Sequence, residues 1–259
     1  MVRSIAIASG KGGVGKTSLA VNCAVKLSLN NNRVALLDAD FGMANSHILL
    51  DKKVNYTVND LLEKNISIYD VIHETPSGLK LIPGGSGVLE LLNLNSEKRW
   101  EIIRSLDGIK SELDLLIVDT PAGASDSSIE FSAACEHVIV VLVPEPTSFM
   151  DAYSFIKALH IEKKVESVSI VVNLANNKKD AEKSFESFKK IVTKFLQIEI
   201  NLCGWLPESK MISNSIIARK PAVMQTKLDP VLDKNFSDIS HYIQNVSANN
   251  FNGIRFFNN

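Results

Sequence analysis

The sequence predicts an α/β fold, a doubly wound and mostly parallel sheet with helices on both faces. Three observations carry that expectation. Short β-branched runs alternate with longer amphipathic segments along the whole chain. Several of the short runs, "DLLIVD" and "HVIVVLV" above all, are apolar throughout, as strands buried on both faces must be. A glycine-rich loop, "GKGGVGKT" at Gly10–Thr17, stands between the first such run and the first helical segment.

In chain order the β-branched and apolar runs place strands at Ser4–Ala8, Arg33–Leu37, Leu79–Ile82, Leu115–Val118, Val138–Val143, Val168–Val172 and Asn201–Leu206. Amphipathic spacing places helices at Lys16–Leu29, Val58–Glu63, Ser96–Leu106, Ser127–Ala134, Phe149–Glu162, Lys179–Leu196, Lys210–Ala218 and Pro230–Val246. The triple asparagine Asn30–Asn32 reads as a turn that ends the first helix. Neither an internal repeat nor a compositional break marks a linker, so residues 1–246 are expected to form one domain. The tail 247–259, "SANNFNGIRFFNN", is polar and then aromatic. It is expected to be a frayed terminus or a vestigial interfacial anchor.

Composition narrows the class. The chain has 259 residues, of which 45% are hydrophobic and 22% charged, enough to build a sizeable core. A formal net charge of −1 gives no global attraction to nucleic acid or anionic lipid. Cys23, Cys135 and Cys203 are widely spaced, which argues against disulfides and against a zinc or iron–sulfur ligand set. Apolar runs fall well short of the roughly 20 residues that span a bilayer. A cytoplasmic location is expected.

The glycine loop carries the chemistry. Between a strand and a helix, Gly10, Gly12, Gly13 and Gly15 let successive backbone N–H groups of Gly10–Ser18, Val14 among them, converge on phosphate oxygens at a helix N-terminus. Lys16 reaches the β- and γ-phosphates, and Thr17 offers its hydroxyl to Mg²⁺. Two further segments, "ALLDADFGMAN" and "LLIVDTPAG", put Asp38, Asp40 and Asp119 at the carboxyl ends of strands, where open α/β sheets hold ligands. Asp119 reads as the acid that holds Mg²⁺ through water, and Asp38 lies nearer the metal. Asp40 orients a water for attack on the γ-phosphate. The expected ligands are therefore ATP and Mg²⁺. Lys11 is unexplained by this geometry, since one lysine suffices for the phosphates.

The lysine-first loop "KGGVGKT", together with "DADFGMAN" and "DTPAG", resembles the deviant-Walker-A ATPases of the MinD/ParA family. The resemblance implies a P-loop NTPase of the SIMIBI type that dimerises on ATP, with Lys11 reaching across the homodimer to the partner's nucleotide. Lys11, Lys16 and Asp40 would then be the catalytic residues. The resemblance also implies that Asn173 of "SIVVNLA" contacts adenine, flanked by Pro207 and Glu208 of "WLPES", and that loops Asp40–Asn45 and Asp119–Gly123 respond to the γ-phosphate.

"PEPTSFMDAYSFIKAL" at Pro144–Leu159, with "LIPGGSG" and "RKPAV", is most similar to the flagellar-number regulators of the family, FlhG or FleN. Their implied partners are an FlhF-like polar flagellar GTPase and a flagellar transcription activator or switch component, with weak, transient contact to the inner face of the membrane or the pole. Members often end in an amphipathic membrane helix, and "GIRFF" resembles its beginning. Some carry an N-terminal extension that stimulates the GTPase, to which the resemblance does not extend.

A partition ATPase of the ParA type and a division-site ATPase of the MinD type are the alternatives. The first needs a basic surface for DNA. The lysines of Asn176–Lys190 alternate with acids at helical spacing and read as a solvated helix face, so no direct nucleic-acid contact is expected.

Overall fold

A computed structural model describes residues 2–41, 44–64, 66–85, 94–249 and 254–257. Its centre is an eight-stranded sheet: β1 (Arg3–Ala8), β2 (Val34–Asp38), β3 (His73–Glu74), β4 (Lys80–Ile82), β5 (Leu115–Asp119), β6 (His137–Leu142), β7 (Ser167–Ala175) and β8 (Glu199–Pro207). The spatial order is β3-β4-β2-β5-β1-β6-β7-β8, and every pairing is parallel except that of β3 with β4. The helices are α1 (Lys16–Leu29), α2 (Ser46–Leu49), α3 (Val58–Lys64), α4 (Ile68–Val71), α5 (Ser96–Ser105), α6 (Asp126–Ala133), α7 (Pro146–Lys163), α8 (Lys178–Phe195), α9 (Lys210–Ile217) and α10 (Pro230–Asn245).

Alternation along the strands divides the core in two. Ile5, Ile7, Leu36, Ile117 and Ile139 face α1 and α10, packing with Leu19, Val25, Phe236 and Ile239. Ala6, Ala8, Leu37, Val118 and Val140 face the other way, toward Ile103, Phe131, Phe155 and Phe188 of α5 to α8. The central strands β1, β2, β5 and β6 thus bury both of their faces, which is why their sequences show no polar alternation. On α8 the buried side chains are Ala181, Phe185, Phe188 and Val192, while Lys178, Lys179, Lys183 and Lys190 are exposed. Among the described residues, no helix is long and apolar enough to cross a membrane.

The expected strands and helices all appear, with ends shifted by a few residues. Elements that lack a long periodic run were missed. These are the two-residue β3, the four-residue α2 and α4, and the 3₁₀ turns at Leu106–Glu112 and Ala222–Met224. The start of α4 did carry a local signal, because Ser67 and Asp70 form a reciprocal capping box.

Residues 254–257 of the tail pack against the body of the domain: Phe256 and Phe257 are only 3% and 4% exposed. The Phe256 ring stacks on Phe131 with centroids 6.5 Å apart, and its backbone N–H donates to Ala134 O at 2.9 Å. Upstream, the Asn249 N–H donates to Glu136 O at 2.7 Å, and its side chain donates to Ser167 O at 2.9 Å. The Arg3 guanidinium donates to the carbonyls of Gln244 and Val246 at the end of α10. Two aromatic rings find apolar cover beside α6, and that burial outweighs the polar character of the segment leading to them.

Phe256→Ala is therefore expected to cost about 3 kcal/mol of stability. Urea unfolding measures it, and a loss below about 0.5 kcal/mol would mean the ring is solvated.

Candidate active site

β1, β5 and β2 lie side by side, and their carboxyl ends gather the functional residues. In register, Asp119 pairs with Ile7 of β1 and with Asp38 of β2. The loop after β1 enters α1 through Gly15, the residue that caps the helix with φ 87°, a left-handed conformation that only glycine adopts at no steric cost. Where a side chain on Gly15 would point, the Asn173 amide already stands: a Cβ would come within 2.3 Å of its Nδ2. At Gly10 a Cβ would lie 2.1 Å from the carbonyl carbon of Asp151, so the root of the loop rests directly on the backbone of α7. Gly12, by contrast, has nothing within 4 Å of such a Cβ, and the same is true of Gly13. The loop is packed from behind and open in front.

The open side is a cleft of about 490 Å³. Lys11, Gly12, Gly13, Gly15, Lys16, Thr17, Ser18 and Asp40 line it, all residues singled out from the sequence. Ile48 and Leu49 of α2 and Ile216 of α9 also line it and were missed. Their contribution has no sequence signal, because one helix is a single turn and the other is distant in the chain.

Lys16 is buried, and its Nζ donates to Asp119 Oδ1 at 2.6 Å. The second oxygen of that carboxylate, Oδ2, is buried with no partner. A buried carboxylate oxygen without a partner is costly unless a cation completes it. Asp119 therefore fits a hard divalent ion such as Mg²⁺; Thr17 lines the cleft together with Lys16, the lysine that Asp119 holds.

Asp38, expected near the metal, lies beside Asp119 in the sheet register and accepts several backbone N–H groups. Its Oδ2 accepts the backbone N–H groups of Asn45 at 3.0 Å and Ser46 at 2.8 Å, and its Oδ1 accepts that of Asp40 at 3.3 Å. Burial, and after it the neighbouring Asp119 carboxylate, push Asp38 up to about 7. Asp38 thus pins the loop that carries Asp40. Gly42 and Met43 of the expected Asp40–Asn45 loop lie outside the described residues, as do Ser86 and Gly87 of "LIPGGSG".

Asn173, at the end of β7, donates from Nδ2 to Val14 O at 2.7 Å, while its Oδ1 is buried and unpartnered. It clamps the glycine loop and keeps one acceptor free. Pro207 ends β8, and Glu208 is exposed before α9; neither lines the cleft. Lys11 does line it, but its Nζ is held elsewhere, donating to Glu145 Oε2 at 3.0 Å and Thr147 Oγ1 at 3.3 Å. The two lysines of the loop therefore occupy contrasting settings, one buried against β5 and one at the surface beside α7.

A strand, a phosphate-cradling loop with a buried lysine, and a carboxylate on the adjacent strand define a P-loop nucleoside triphosphatase. The chain belongs to the CobQ/CobB/MinD/ParA nucleotide-binding domain family, whose description matches residues 5–223. It is an ATPase of that family, with ATP and Mg²⁺ as its ligands. Among similar proteins, the antiactivator FleN of Pseudomonas aeruginosa is 34% identical over 215 residues, which span 83% of this chain and 77% of FleN. The flagellum site-determining protein YlxH of Helicobacter pylori is 30% identical over 217 residues, spanning 83% of this chain and 73% of YlxH. The solved structure of the septum site-determining protein MinD of Pyrococcus horikoshii, complexed with Mg-ADP, matches with a TM-score of 0.77. It covers 94% of this chain and 96% of that one at 24% identity, a likeness of fold.

The four glycines separate into two kinds, and substitution is expected to show it. Gly12→Ala should leave stability within about 0.5 kcal/mol of the parent while weakening ATP binding, because the added methyl enters the open cleft. Gly10→Ala should destabilise the fold by several times that amount through overlap with α7. Thermal melts and titration with a fluorescent ATP analogue distinguish the two; equal effects on both readouts would refute the division.

Proposed function

We propose that this chain is an ATP-dependent dimerising switch that regulates flagellar number and placement. The observation that carries the pathway is the similarity to two flagellar proteins, FleN and YlxH, each at 30% identity or more across 83% of this chain. The geometry supports the switch. ATP supplies the γ-phosphoryl group, and Mg²⁺ neutralises charge between its phosphates.

Within one protomer, Gly12 and Gly13 leave room for phosphate oxygens, and Lys16 lines the same cleft while Asp119 holds its ammonium. Thr17 and Asp119 would hold the metal. Asp40 orients the attacking water, on a loop whose position Asp38 fixes through three backbone N–H groups. The free Oδ1 of Asn173 is an acceptor suited to the amino group of adenine, and its Nδ2 ties that event to Val14. Pro207 and Glu208 would flank the base. Lys11, at the edge of the cleft, is the group placed to leave its own protomer and contact the phosphates of another. Hydrolysis then depends on dimerisation. The dimer would present a surface to a flagellar GTPase of the FlhF type or to a flagellar transcription activator or switch component, with transient recruitment to the membrane or pole.

Two measurements test this. Lys11→Ala should lower ATP turnover on the order of 10³-fold or more, the low end of what a charged finger supplies, and Asp40→Ala should lower it as well, while ATP binding is retained. Turnover that survives Lys11→Ala would remove the lysine from the reaction. Deletion of the gene, followed by counting flagella in electron micrographs, should give extra or polar-clustered flagella. Normal flagellation with minicells would favour the division-site alternative, and loss of DNA would favour the partition alternative.

A further inference from the structure

The segment "LIPGGSG", distinctive in the sequence, has a physical task that its glycines reveal. β4 pairs with β2 in parallel, Leu37 opposite Ile82, so the chain leaving β4 runs alongside Asp38 and the loop after it. Gly84 is buried there, and its backbone is not left-handed, so conformation alone does not call for a glycine. Space does. A Cβ on Gly84 would come within 2.3 Å of the Asp38 carbonyl oxygen and 2.8 Å of Cδ1 of the Phe41 ring. No side chain fits at such separations unless the ring or the backbone gives way.

Phe41 follows Asp40 directly and is buried. Its ring meets Phe131 of α6 edge to face, with centroids 5.3 Å apart, an arrangement that ring quadrupoles favour. On the other side of Asp40, Ala39 is buried and its N–H donates to Asp119 O at 2.9 Å. Asp40 is therefore an outward residue between two inward ones, and it lines the cleft. Phe131 belongs to the helix that continues the loop after β5, and earlier in that helix Ser128 Oγ donates to Pro121 O at 2.9 Å. One ring contact thereby ties the loop that carries Asp40 to the loop that follows Asp119.

We propose that Phe41 is a positioning residue for hydrolysis, its ring seated against Phe131 and Gly84 so that Asp40 is held at the cleft. The proposal rests on the reading in which Asp40 orients the attacking water. Asp38 holds this loop at its backbone, through the N–H groups of Asp40, Asn45 and Ser46. The Phe41 ring adds a second fixed point, at the residue next to Asp40. A displacement of about 1 Å at a reacting group costs on the order of 10²-fold in rate. Phe41 does not line the cleft, and the phosphates face the glycine loop and Lys16, so loss of the ring acts on turnover and spares ATP affinity.

Steady-state ATP turnover of the full chain with Mg²⁺ tests this, on variants that circular dichroism shows to be folded. Phe41→Ala should lower kcat on the order of 10²-fold, while KM for ATP stays within about three-fold. Phe41→Leu, which refills most of the space, should recover part of that loss. Gly84→Ala, which crowds the ring and the Asp38 carbonyl without removing either, should lower kcat in the same way; it decides the matter if Phe41→Ala does not fold. Phe188→Leu is the control, a ring as deeply buried but on α8, which packs on β7 and β8 across β1 from β2. Its kcat should stay within about two-fold of the parent. Without nucleotide, hydrogen exchange at the N–H groups of Asp40, Asn45 and Ser46 should be roughly two- to ten-fold faster in Phe41→Ala and Gly84→Ala, the factor of one ordinary hydrogen bond. If the Phe41 and Gly84 variants keep the parent kcat while Asp40→Ala abolishes turnover, the positioning role is overturned and that of Asp40 stands. If Asp40→Ala turns over as the parent does, the role of Asp40 falls and that of Phe41 falls with it. A loss that Phe188→Leu reproduces, that appears in KM alone, or that comes without faster exchange also overturns the proposal.

Discussion

The buried contact between Lys16 and Asp119 holds the site to the sheet. Taking an ammonium and a carboxylate out of water costs several kcal/mol for each ion, and their mutual attraction at 2.6 Å offsets it only if the geometry is kept. The loop after β1 must therefore stay in register with the end of β5. That register in turn sets Asp38 beside Asp119, because the two are paired across β2 and β5. One lysine then faces two carboxylates. Burial, and after it this imbalance, raise the proton affinity of Asp38, and the second oxygen of Asp119 is left without a partner. Such an excess of negative charge suits a divalent cation and would be poor design without one.

Much of this was legible because the relevant signals are local. Spacing within Gly10–Thr17 specifies a loop between strand and helix, and an aspartate after an apolar run marks a strand end that faces ligands. What was illegible depends on approach between distant segments. Nothing near Asn173 says that its amide will reach Val14, 159 residues away in sequence. Ile216 and Ile48 meet at the cleft from different ends of the chain, and no periodicity marks them. Asp38 was recognised as part of the site, yet its role depends on where the N–H groups of Asn45 and Ser46 point. The aromatics of the tail were noticed in the sequence, but not that Phe256 would reach Phe131 of α6, a contact between distant segments.

Lys11 and Lys16 show how differently two lysines of one loop can be held. Lys16 is buried and paired with a buried carboxylate, whereas Lys11 stays near solvent with an exposed partner. Both lysines come from one six-residue stretch of loop, and the difference between them arises from the elements they meet, β5 for one and the start of α7 for the other.

The docking of residues 254–257 bears on how the chain is made. A growing polypeptide presents β1, its loop and the Asp119 strand well before residues 254–257. The cover over Phe131 and the bond from Phe256 to Ala134 are added only after β1 to β8 have been made, at the end of the sheet opposite the cleft. A chain interrupted before residue 254 would carry all eight of these strands with Phe131 lacking that cover.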